Sequence, residues 1–496
     1  MIYVHSLGRA SRYYSALGAL APRGTRLSFF ELERRVKGIA AALRAHGFGE
    51  GDRLALLLPN GPEYIELVYA CSWLGVIAVP LNTRLSPTEI DRVLADSTPH
   101  GLVRHSSMST PTVPVPWRRV LDLDPLEPRN DVPPPVVYDP EAILALIYTS
   151  GTTGRPKGVM VTHANILANI NHLNYWMRYT EGGVFLHAAP IFHIADFPAI
   201  FSAPAFGASQ VTLPKFSPQS FCETVQRERV SHTILVPTMI NMLTQFRDAQ
   251  EFDLSSLVVL AYGGSPIAPE LIERTRELLP QVKLVQVYGL SETGLLTGLQ
   301  DHEHTHERLS SCGRPCPGID LRVTDESGNS VEVGKAGELV VRGDNIMRGY
   351  WNNSDETSLA FRNGWFRTGD IGSQDSAGYC YILDRLKDMI VTGGENVYSG
   401  EVEAAIYAHP AVREAAVFGI PDPKWGELVM ACVVTQPGLT LNADDLVAHC
   451  RQSLATYKVP RRIEFMDSEL PKSGSGKILK RTLRDRFWVL ETRAVS

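Results

Sequence analysis

Residues 148–159 combine residue types that bind phosphate. They read Tyr-Thr-Ser-Gly-Thr-Thr-Gly-Arg-Pro-Lys-Gly-Val and follow the mostly apolar residues 142–148, so we expect them to leave a buried strand as a loop. Glycines let successive backbone N–H groups turn toward one concavity. Hydroxyls and a lysine ammonium add donors for an anion. The candidate phosphate-binding residues are Thr149, Ser150, Gly151, Thr152, Thr153, Gly154 and Lys157.

This stretch is not the common P-loop, in which Gly-Lys is followed directly by Ser or Thr. Here Pro156 precedes Lys157 and Gly158 follows it. A Ser/Thr/Gly-rich surface turn is the alternative interpretation. Such turns rarely follow an apolar strand and end in Pro-Lys-Gly, so the pattern favours a phosphate loop of another type.

Residues 288–294, Tyr-Gly-Leu-Ser-Glu-Thr-Gly, follow a strand-like segment and suit a nucleotide with its metal ion. Glu292 is an oxygen ligand of the kind that magnesium uses alongside phosphates. Thr293 can donate to a phosphate, and Tyr288 offers a flat face to a purine. An ordinary turn at the end of a strand is the alternative, and the phosphate loop makes the functional interpretation the stronger one.

Two further segments each offer a charged residue that suits the same chemistry. Residues 365–370 end in Asp370, and a carboxylate at a strand end can accept both hydroxyls of a ribose. Lys477 lies among glycines and serines in residues 470–478. A lysine in such a segment can clamp charge that develops between a carboxylate and a phosphate. A turn with a satisfied Asp and a solvated surface Lys are the alternatives.

The segments that must position these residues read as a layered α/β domain. Ser28 and Glu31 form a capping-box pattern, apolar residues follow at helical spacing, and Gly47 supplies a stop. A short strand (52–59), a helix (about 62–73) and a second strand (76–80) come next. This alternation predicts parallel strands. Residues 108–140 are rich in Pro, Ser and Asp and predict an irregular linker.

A charged break at residues 384–388 separates this region from a smaller one. Helices at 399–407 and 443–454 are predicted to alternate there with strands at 415–419 and 429–434. About 110 residues suffice for a small α+β domain. We therefore place the domains at residues 1–384 and 385–496.

Composition excludes several classes of protein. A chain of 496 residues is too long for one ordinary core. The net charge of −6 argues against a nucleic-acid surface. No apolar stretch reaches 18 residues, so no transmembrane segment is predicted. Seven scattered cysteines and the lack of a signal pattern favour the cytoplasm.

One histidine-rich segment suggests a metal site as an alternative. Residues 301–306 alternate His302, His304 and His306, which would share one face of a strand. Cys312 and Cys316 follow, but the usual zinc spacings are absent. The favoured interpretation is a solvated polar loop.

The motifs above, in this order over about residues 25–485, resemble the adenylate-forming superfamily of acyl-CoA synthetases, peptide-synthetase adenylation domains and beetle luciferases. The resemblance implies a large α/β N-terminal domain of two sheets with helices plus a distorted β-barrel, and a small mobile α+β C-terminal domain. It also implies a reaction in two halves. A carboxylate attacks the α-phosphate of ATP to give acyl-adenylate and pyrophosphate, and an acceptor thiol then displaces AMP.

The resemblance also assigns roles to single residues. Residues 149–157 would hold the phosphates, and Thr149 and Glu292 would bind Mg2+. The nucleotide would be held by Thr293 at the α-phosphate, by Tyr288 on the adenine beside Gly289 and the Gly264–Ser265 turn, and by Asp370 and Arg385 at the ribose. The catalytic residues would be Thr149, Glu292, His193 at the mouth of the acyl pocket, and Lys477, which bridges carboxylate and phosphate. Lys387 would be the hinge.

The predicted acceptor is coenzyme A. Residues 393–398, which begin with Gly393 and Gly394, and residues 420–427 and 457–460 are similar to segments shared by fatty-acid and aryl-acid CoA ligases. Ser399 stands where many of these ligases carry proline, and we expect this to matter little. An amino-acid substrate is disfavoured because no aspartate stands at the place of His193, although Asp196 lies nearby.

Three other functions stay open at this point. They are a stand-alone adenylation enzyme for another acceptor, a luciferase-like oxygenase, and an ATP-binding regulatory protein without catalysis. The last predicts gaps among the charged residues, yet all of them are present.

The acid itself is not readable from the sequence. The pocket is predicted from residues 193–197, 239–242, 261–265 and 288–295, which are mainly apolar and show no obvious cation for a second carboxylate. A medium- or long-chain fatty acid is therefore favoured over a dicarboxylic acid. A hydroxycinnamate or benzoate is the runner-up because flat rings also suit apolar slots. The predicted partner is thus a small carboxylic acid, and both a monomer and a homodimer remain open.

Overall fold

The computed structural model describes residues 2–20, 26–108, 119–122, 129–136, 139–150, 156–265, 267, 269–393, 395–472 and 478–494. For residues 4, 119–122, 150 and 488–494 it describes the backbone alone. None of the helices in these ranges combines the length and the apolar character needed to cross a bilayer.

The helices are α1 (Ile2–His5), α2 (Leu7–Tyr13), α3 (Phe29–Ala45), α4 (Pro62–Leu74), α5 (Pro87–Ser97), α6 (His163–Met177), α7 (Ala199–Ala205), α8 (Pro218–Glu228), α9 (Pro237–Thr244), α10 (Pro269–Leu278), α11 (Ser354–Ala360), α12 (Ser399–Tyr407), α13 (Ala443–Cys450) and α14 (Lys480–Ala494).

The strands are β1 (Gly18–Leu20), β2 (Leu27–Ser28), β3 (Arg53–Leu57), β4 (Ile77–Pro80), β5 (Gly101–Arg104), β6 (Arg119–Asp122), β7 (Ile143–Ser150), β8 (Pro156–Thr162), β9 (Val184–His187), β10 (Ser209–Thr212), β11 (His232–Leu235), β12 (Val259–Gly263), β13 (Lys283–Leu290), β14 (Gly294–Leu299), β15 (Arg314–Pro315), β16 (Asp320–Thr324), β17 (Gly337–Arg342), β18 (Gly349–Tyr350), β19 (Phe361–Arg362), β20 (Trp365–Gln374), β21 (Cys380–Arg385), β22 (Ile390–Thr392), β23 (Glu395–Val397), β24 (Val412–Asp422), β25 (Gly426–Thr435) and β26 (Arg462–Phe465).

The chain forms two compact units, residues 1–320 with 342–366 and residues 321–341 with 367–496. The first unit contains two large sheets, with strand orders β15-β14-β13-β12-β11-β9-β10-β1-β2 and β18-β8-β7-β4-β3-β5-β6. The buried side chains of α8, α9 and α10 pack with those of the first sheet, and those of α5 pack with the second. The mixed α/β class predicted from the sequence is confirmed.

The second unit contains two smaller sheets. Strands β16, β17, β20 and β21 belong to a five-stranded sheet that also includes β19 of the first unit, and β22 to β26 form the last sheet. The distorted barrel that the resemblance implied stays a prediction. The boundary placed at 384/385 lies inside this unit, because β21, which ends at Arg385, pairs with β20. Which segment moves during catalysis stays a prediction.

Local sequence signals explain several elements. The Ser28–Glu31 capping box is present at the start of α3, and Gly47 adopts a positive φ just after that helix. Strands β3 and β4 pair in parallel, as the helix–strand alternation predicted. The linker prediction is wrong at residues 119–122, because β6 pairs there with β5. The helix predicted at 443–454 ends at Cys450.

Candidate active site

The first sheet brings the predicted pocket segments to one edge. Strands β9, β11, β12 and β13 run parallel as neighbours. The segments that begin near His193, Met239, Gly264 and Ser291 each follow the carboxyl end of one of these strands. In open α/β sheets this edge is where ligands bind. Topology therefore explains why segments a hundred residues apart in sequence can serve one site.

The phosphate loop is shorter than predicted. Strands β7 and β8 form an antiparallel hairpin that pairs Thr149 with Lys157 and Ser150 with Pro156. Directly paired residues point to the same face of a sheet, so Thr149 and Lys157 are neighbours on one face. Gly158 has no side chain because an added Cβ would lie 2.9 Å from the ring of Tyr148. Part of the predicted loop is therefore strand.

Several predicted residues lie outside the described residues. They are Gly151, Thr152, Thr153 and Gly154 of the phosphate loop, Gly394, and Lys477. Of Ser150 only the backbone is described. Their roles stay predictions.

Glu292 is held by a residue that sequence analysis did not assign. The hydroxyl of Tyr350 donates to Glu292 Oε1 over 2.8 Å. Tyr350 is only 8 % exposed, and burial, followed by the nearby Glu292, raises the pKa of this tyrosine above its ordinary value. The hydroxyl therefore keeps its proton and fixes one oxygen of the carboxylate.

Lys157 belongs to the same group of side chains. Its Nζ lies 2.5 Å from a carboxylate oxygen of Glu356 and 5.2 Å from the centre of the Tyr350 ring. A chain of contacts thus runs from Glu356 through Lys157 and Tyr350 to Glu292. It joins the lysine predicted to bind phosphate to the carboxylate predicted to bind magnesium.

Residues 343–357, which we call the strap, make this arrangement possible. The backbone N–H of Met347 donates to the carbonyl of Glu292, and that of Trp351 donates to Gly158, each through a short hydrogen bond (2.8 and 2.7 Å). Asn165, on α6, donates to two strap carbonyls, each over 2.8 Å. Asn345 donates in turn to the carbonyl of Thr293. The strap therefore connects β8 to the turn after β13.

Strand β13 and the turn after it carry three of the predicted nucleotide-binding residues. Tyr288 lies on β13, opposite Thr297. Gly289 must be glycine because an added Cβ would lie 1.8 Å from the carbonyl of Gly294. The hydroxyl of Thr293 accepts from Leu290 and donates to Gly294, so in this structure it closes the turn. Its donation to an α-phosphate stays a prediction.

The loop that carries His193 is fixed at its base. Asn60 donates to the carbonyls of His187 and Ala189 and accepts from the N–H of Ile191. His187 Nδ1 lies 3.1 Å from Asp196 Oδ1, and both side chains are almost fully buried. Burial raises the pKa of Asp196 and His187 opposes this. The carboxylate of Asp196 is therefore already paired with His187. This carboxylate is the feature that left an amino-acid substrate open in the sequence analysis.

Other predicted pocket residues differ in their surroundings. Met239 is buried in the core, whereas Met242 is 48 % exposed. Gly264 has a φ of +83°, and Ser265 follows it half-buried. Tyr262 packs in the core and its hydroxyl lies 2.7 Å from His304. It therefore supports the sheet, while Gly264 forms the turn.

The second unit brings together the two residues predicted to bind ribose. Asp370 and Arg385 are directly paired on β20 and β21, and their side chains form an ion pair of 2.5 Å. Asp370 is buried, and the backbone N–H of this residue donates to Thr368. Strand register thus places the two side chains next to each other, and their binding of the ribose stays a prediction.

The second unit also joins two segments predicted to serve coenzyme A. The N–H of Gly393 donates to the carbonyl of Trp425, and an added Cβ on Gly393 would lie 2.9 Å from the Trp425 ring. Lys424 and Arg461 both place their cations over this ring, 4.8 and 4.6 Å from its centre. An aromatic ring with two cations suits a phosphorylated ligand.

Ser399 has a structural role that the sequence analysis missed. Its N–H and its hydroxyl both donate to the carboxylate of Asp384, the hydroxyl over 2.9 Å. Lys480 donates to the Ser399 hydroxyl over 2.6 Å and lies 2.8 Å from Glu403. Proline would remove both donors to Asp384, so the expectation that this position matters little is wrong for local structure. These contacts connect the end of β21 to the starts of α12 and α14, close to the predicted hinge Lys387.

The histidine-rich segment does not form a metal site among the described residues. Residues 301–303 and 306–308 are short 3-10 turns, not a strand. His304 is buried, and burial lowers its pKa. No group of three His, Cys, Asp or Glu residues in the described ranges is arranged to bind a metal. The solvated-loop interpretation is therefore wrong for His304, which is a hydrogen-bonded core histidine.

The described residues fit a nucleotide with magnesium. Lys157 already binds an anionic oxygen, that of Glu356. Glu292 offers a carboxylate on the same chain of contacts, and magnesium needs only one or two protein carboxylates beside phosphates.

Comparison with known proteins identifies the family of this chain. The family model for AMP-binding enzymes matches residues 9–351, and the model for their C-terminal domain matches residues 401–477. A feruloyl-CoA synthase of Amycolatopsis sp is 39 % identical over 482 residues, which cover 97 % of this chain and 98 % of the relative. The long-chain-fatty-acid–CoA ligase FadD13 of Mycobacterium tuberculosis (strain H37Rv) is 34 % identical over 93 % of each chain.

A solved structure has the same fold. The o-succinylbenzoate coenzyme A synthetase MenE of Bacillus subtilis, in complex with ATP and a magnesium ion, matches with a TM-score of 0.89 and 33 % identity over 97 % of this chain and 99 % of that one. The chain therefore belongs to the AMP-binding enzyme family and is an AMP-forming acid–thiol ligase of the adenylate-forming superfamily, the acyl-CoA synthetase type.

Proposed function

We propose that this enzyme activates a monocarboxylic acid with an apolar body through an acyl-adenylate and transfers the acyl group to coenzyme A, releasing AMP and pyrophosphate. The observation that carries the proposal is the chain of contacts from Lys157 through Tyr350 to Glu292. It pairs a phosphate-binding cation with a carboxylate suited to Mg2+.

The protein side of the first half-reaction follows from these residues. Lys157 binds phosphate oxygens, and Thr149, its neighbour on the same face, would hold magnesium together with Glu292. Magnesium, when bound, offsets the negative charge of the phosphates. Tyr350 keeps the Glu292 carboxylate in one orientation. Asp370 and Arg385 are proposed to bind the ribose, and Lys477 to stabilise charge between carboxylate and α-phosphate.

We propose the Trp425 surface for coenzyme A. The Gly393 turn lies against this ring, and Lys424 and Arg461 flank it. Cations of this kind bind phosphate groups, which coenzyme A carries.

Two classes of acid are supported by different observations. The mainly apolar pocket segments favour a medium- or long-chain fatty acid, and the 34 % identical FadD13 supports that class. The feruloyl-CoA synthase is more similar, at 39 % identity and 97 % coverage, and favours a hydroxycinnamic acid. We therefore propose the hydroxycinnamic acids as the first substrates to test and fatty acids as the second. The Asp196–His187 pair argues against an amino acid.

The test is AMP release with ATP, magnesium and coenzyme A over a panel of acids. Ferulate, 4-coumarate and benzoate represent the aryl class, butyrate to palmitate the fatty class, and malonate, succinate and phenylalanine the excluded ones. We expect the highest kcat/KM with an aryl or fatty acid. A clear preference for malonate or phenylalanine would contradict the apolar pocket.

A further inference from the structure

Glu356 places a carboxylate on the lysine that the proposed function gives to the phosphates. Its oxygen lies 2.5 Å from Lys157 Nζ. The side chain of Lys157 is 13 % exposed and that of Glu356 is 33 % exposed. The lysine is therefore shielded from water, while the carboxylate that neutralises it is more accessible.

The position of Glu356 is fixed by its surroundings. Its backbone N–H donates to the side chain of Asn353, which caps α11. The hydroxyl of Thr357 donates to the carbonyl of Asn353 and accepts from the N–H of Tyr350. Tyr350 is paired with Val159 on β8, the strand that carries Lys157. Backbone pairing of the strap with β8 thus holds the Glu356 carboxylate next to Lys157. The contact therefore differs from a chance pair of long surface side chains.

A nucleotide phosphate and the Glu356 carboxylate require the same cation. One ammonium cannot neutralise both, and two anions close to each other repel. Phosphate that binds Lys157 must therefore either displace the Glu356 carboxylate or bind more weakly because of repulsion by it. The departure of phosphate allows the carboxylate to return to the lysine.

We propose that Glu356 is an internal counter-anion of Lys157 that competes with nucleotide phosphates and lowers the affinity of this enzyme for ATP. By the same competition Glu356 speeds the release of pyrophosphate. The inference rests on the proposed function only in that Lys157 binds phosphate. It assigns a task to a residue that neither the motifs nor the resemblance singled out.

The experiment measures the dissociation constants of ATP and adenosine by calorimetry on the full chain, without acid or coenzyme A. Glu356→Gln should bind ATP roughly 1.5- to 5-fold more tightly, the range for a partly exposed ion pair. Adenosine has no phosphate, so its affinity should not change. In a Lys157→Met background, Glu356→Gln should no longer tighten ATP binding. Asp253→Asn, which removes the partner of Arg229 in the same unit, is the matched control and should change neither constant.

Two results would overturn the inference. One is unchanged or weaker ATP binding in both Glu356→Gln and Glu356→Ala, with the thermal midpoint of each variant showing that it is folded. The other is equal tightening in the Lys157→Met background, which would mean that the carboxylate does not act through the lysine. The proposed function fails separately if wild type binds ATP but no acid supports AMP release. Wild type that binds no ATP would refute both.

Discussion

Glu292→Gln tests the metal-binding assignment with the least disturbance of structure. The amide keeps an oxygen that can accept from the Tyr350 hydroxyl, now 2.8 Å from Oε1. The main-chain carbonyl of Glu292 still accepts from Met347. The substitution therefore removes the negative charge and little else, and we expect the free energy of unfolding to change by less than about 1 kcal/mol.

The loss of function should be far larger than the loss of stability. A hard cation that bridges phosphates needs the anionic oxygen, which the amide lacks. Removal of one such electrostatic group costs on the order of 10²-fold in rate, or about 2.7 kcal/mol. The assay is AMP release at saturating acid and coenzyme A, with kcat/KM for ATP measured across a magnesium series. Urea unfolding of the same variant gives its stability.

Glu33→Gln is the matched control, because Glu33 also accepts from a buried tyrosine hydroxyl, that of Tyr3, over 2.6 Å in the same unit. It should affect stability and leave the magnesium dependence of ATP use unchanged. Near-normal turnover of Glu292→Gln at limiting magnesium would refute the assignment, since the ion would then be held elsewhere.

Three more predictions concern stability and the C-terminal segment. Ser399→Pro should lower the free energy of unfolding by at least about 1 kcal/mol more than Ser399→Ala, because proline also removes the N–H bond to buried Asp384; equal urea midpoints would contradict this. Burial lowers the pKa of His163 from its ordinary value of 6.5 to about 4, so between these values the unfolded state binds a proton that the folded state does not. The free energy of unfolding should therefore fall, by up to about 1.4 kcal/mol per pH unit, as the pH drops from 6.5 toward 4. His163→Gln should flatten this slope in urea unfolding. Lys477→Ala should cripple acyl-adenylate formation and spare thioester formation, and Lys387→Pro should do the reverse, because a fixed φ hinders rotation; single-turnover kinetics in which both variants slow both halves equally would contradict the hinge.

The sequence predicted elements whose signals are local. The capping box at Ser28 lies within four residues, and α3 begins directly after it. Helix α12 spans the predicted residues 399–407, since its apolar spacing lies within one element. The predictions were less accurate where pairing with a distant strand determines the secondary structure. Strand β6 forms in a segment with linker composition because β5 offers an edge to it.

The candidate site was predicted in part for the same reason. Motif residues such as Glu292 and Asp370 could be singled out because their types suit the chemistry. Tyr350 and Glu356 could not, because their partners lie 58 and 199 residues away in the chain. Nothing in the sequence of residues 349–352 indicates contact with β8 or with the turn after β13. Those contacts depend on the course of the strap through the fold, which cannot be read from a single sequence.

The most direct test of the account is ATP–pyrophosphate exchange on the wild-type enzyme without coenzyme A. Labelled pyrophosphate enters ATP only if an acid forms an acyl-adenylate reversibly. The account predicts exchange that depends on magnesium and on an aryl or fatty acid, and that falls on the order of 10²-fold in Glu292→Gln. Exchange that is absent with every acid of the panel, although the enzyme binds ATP, would contradict the assignment of acid activation to this site.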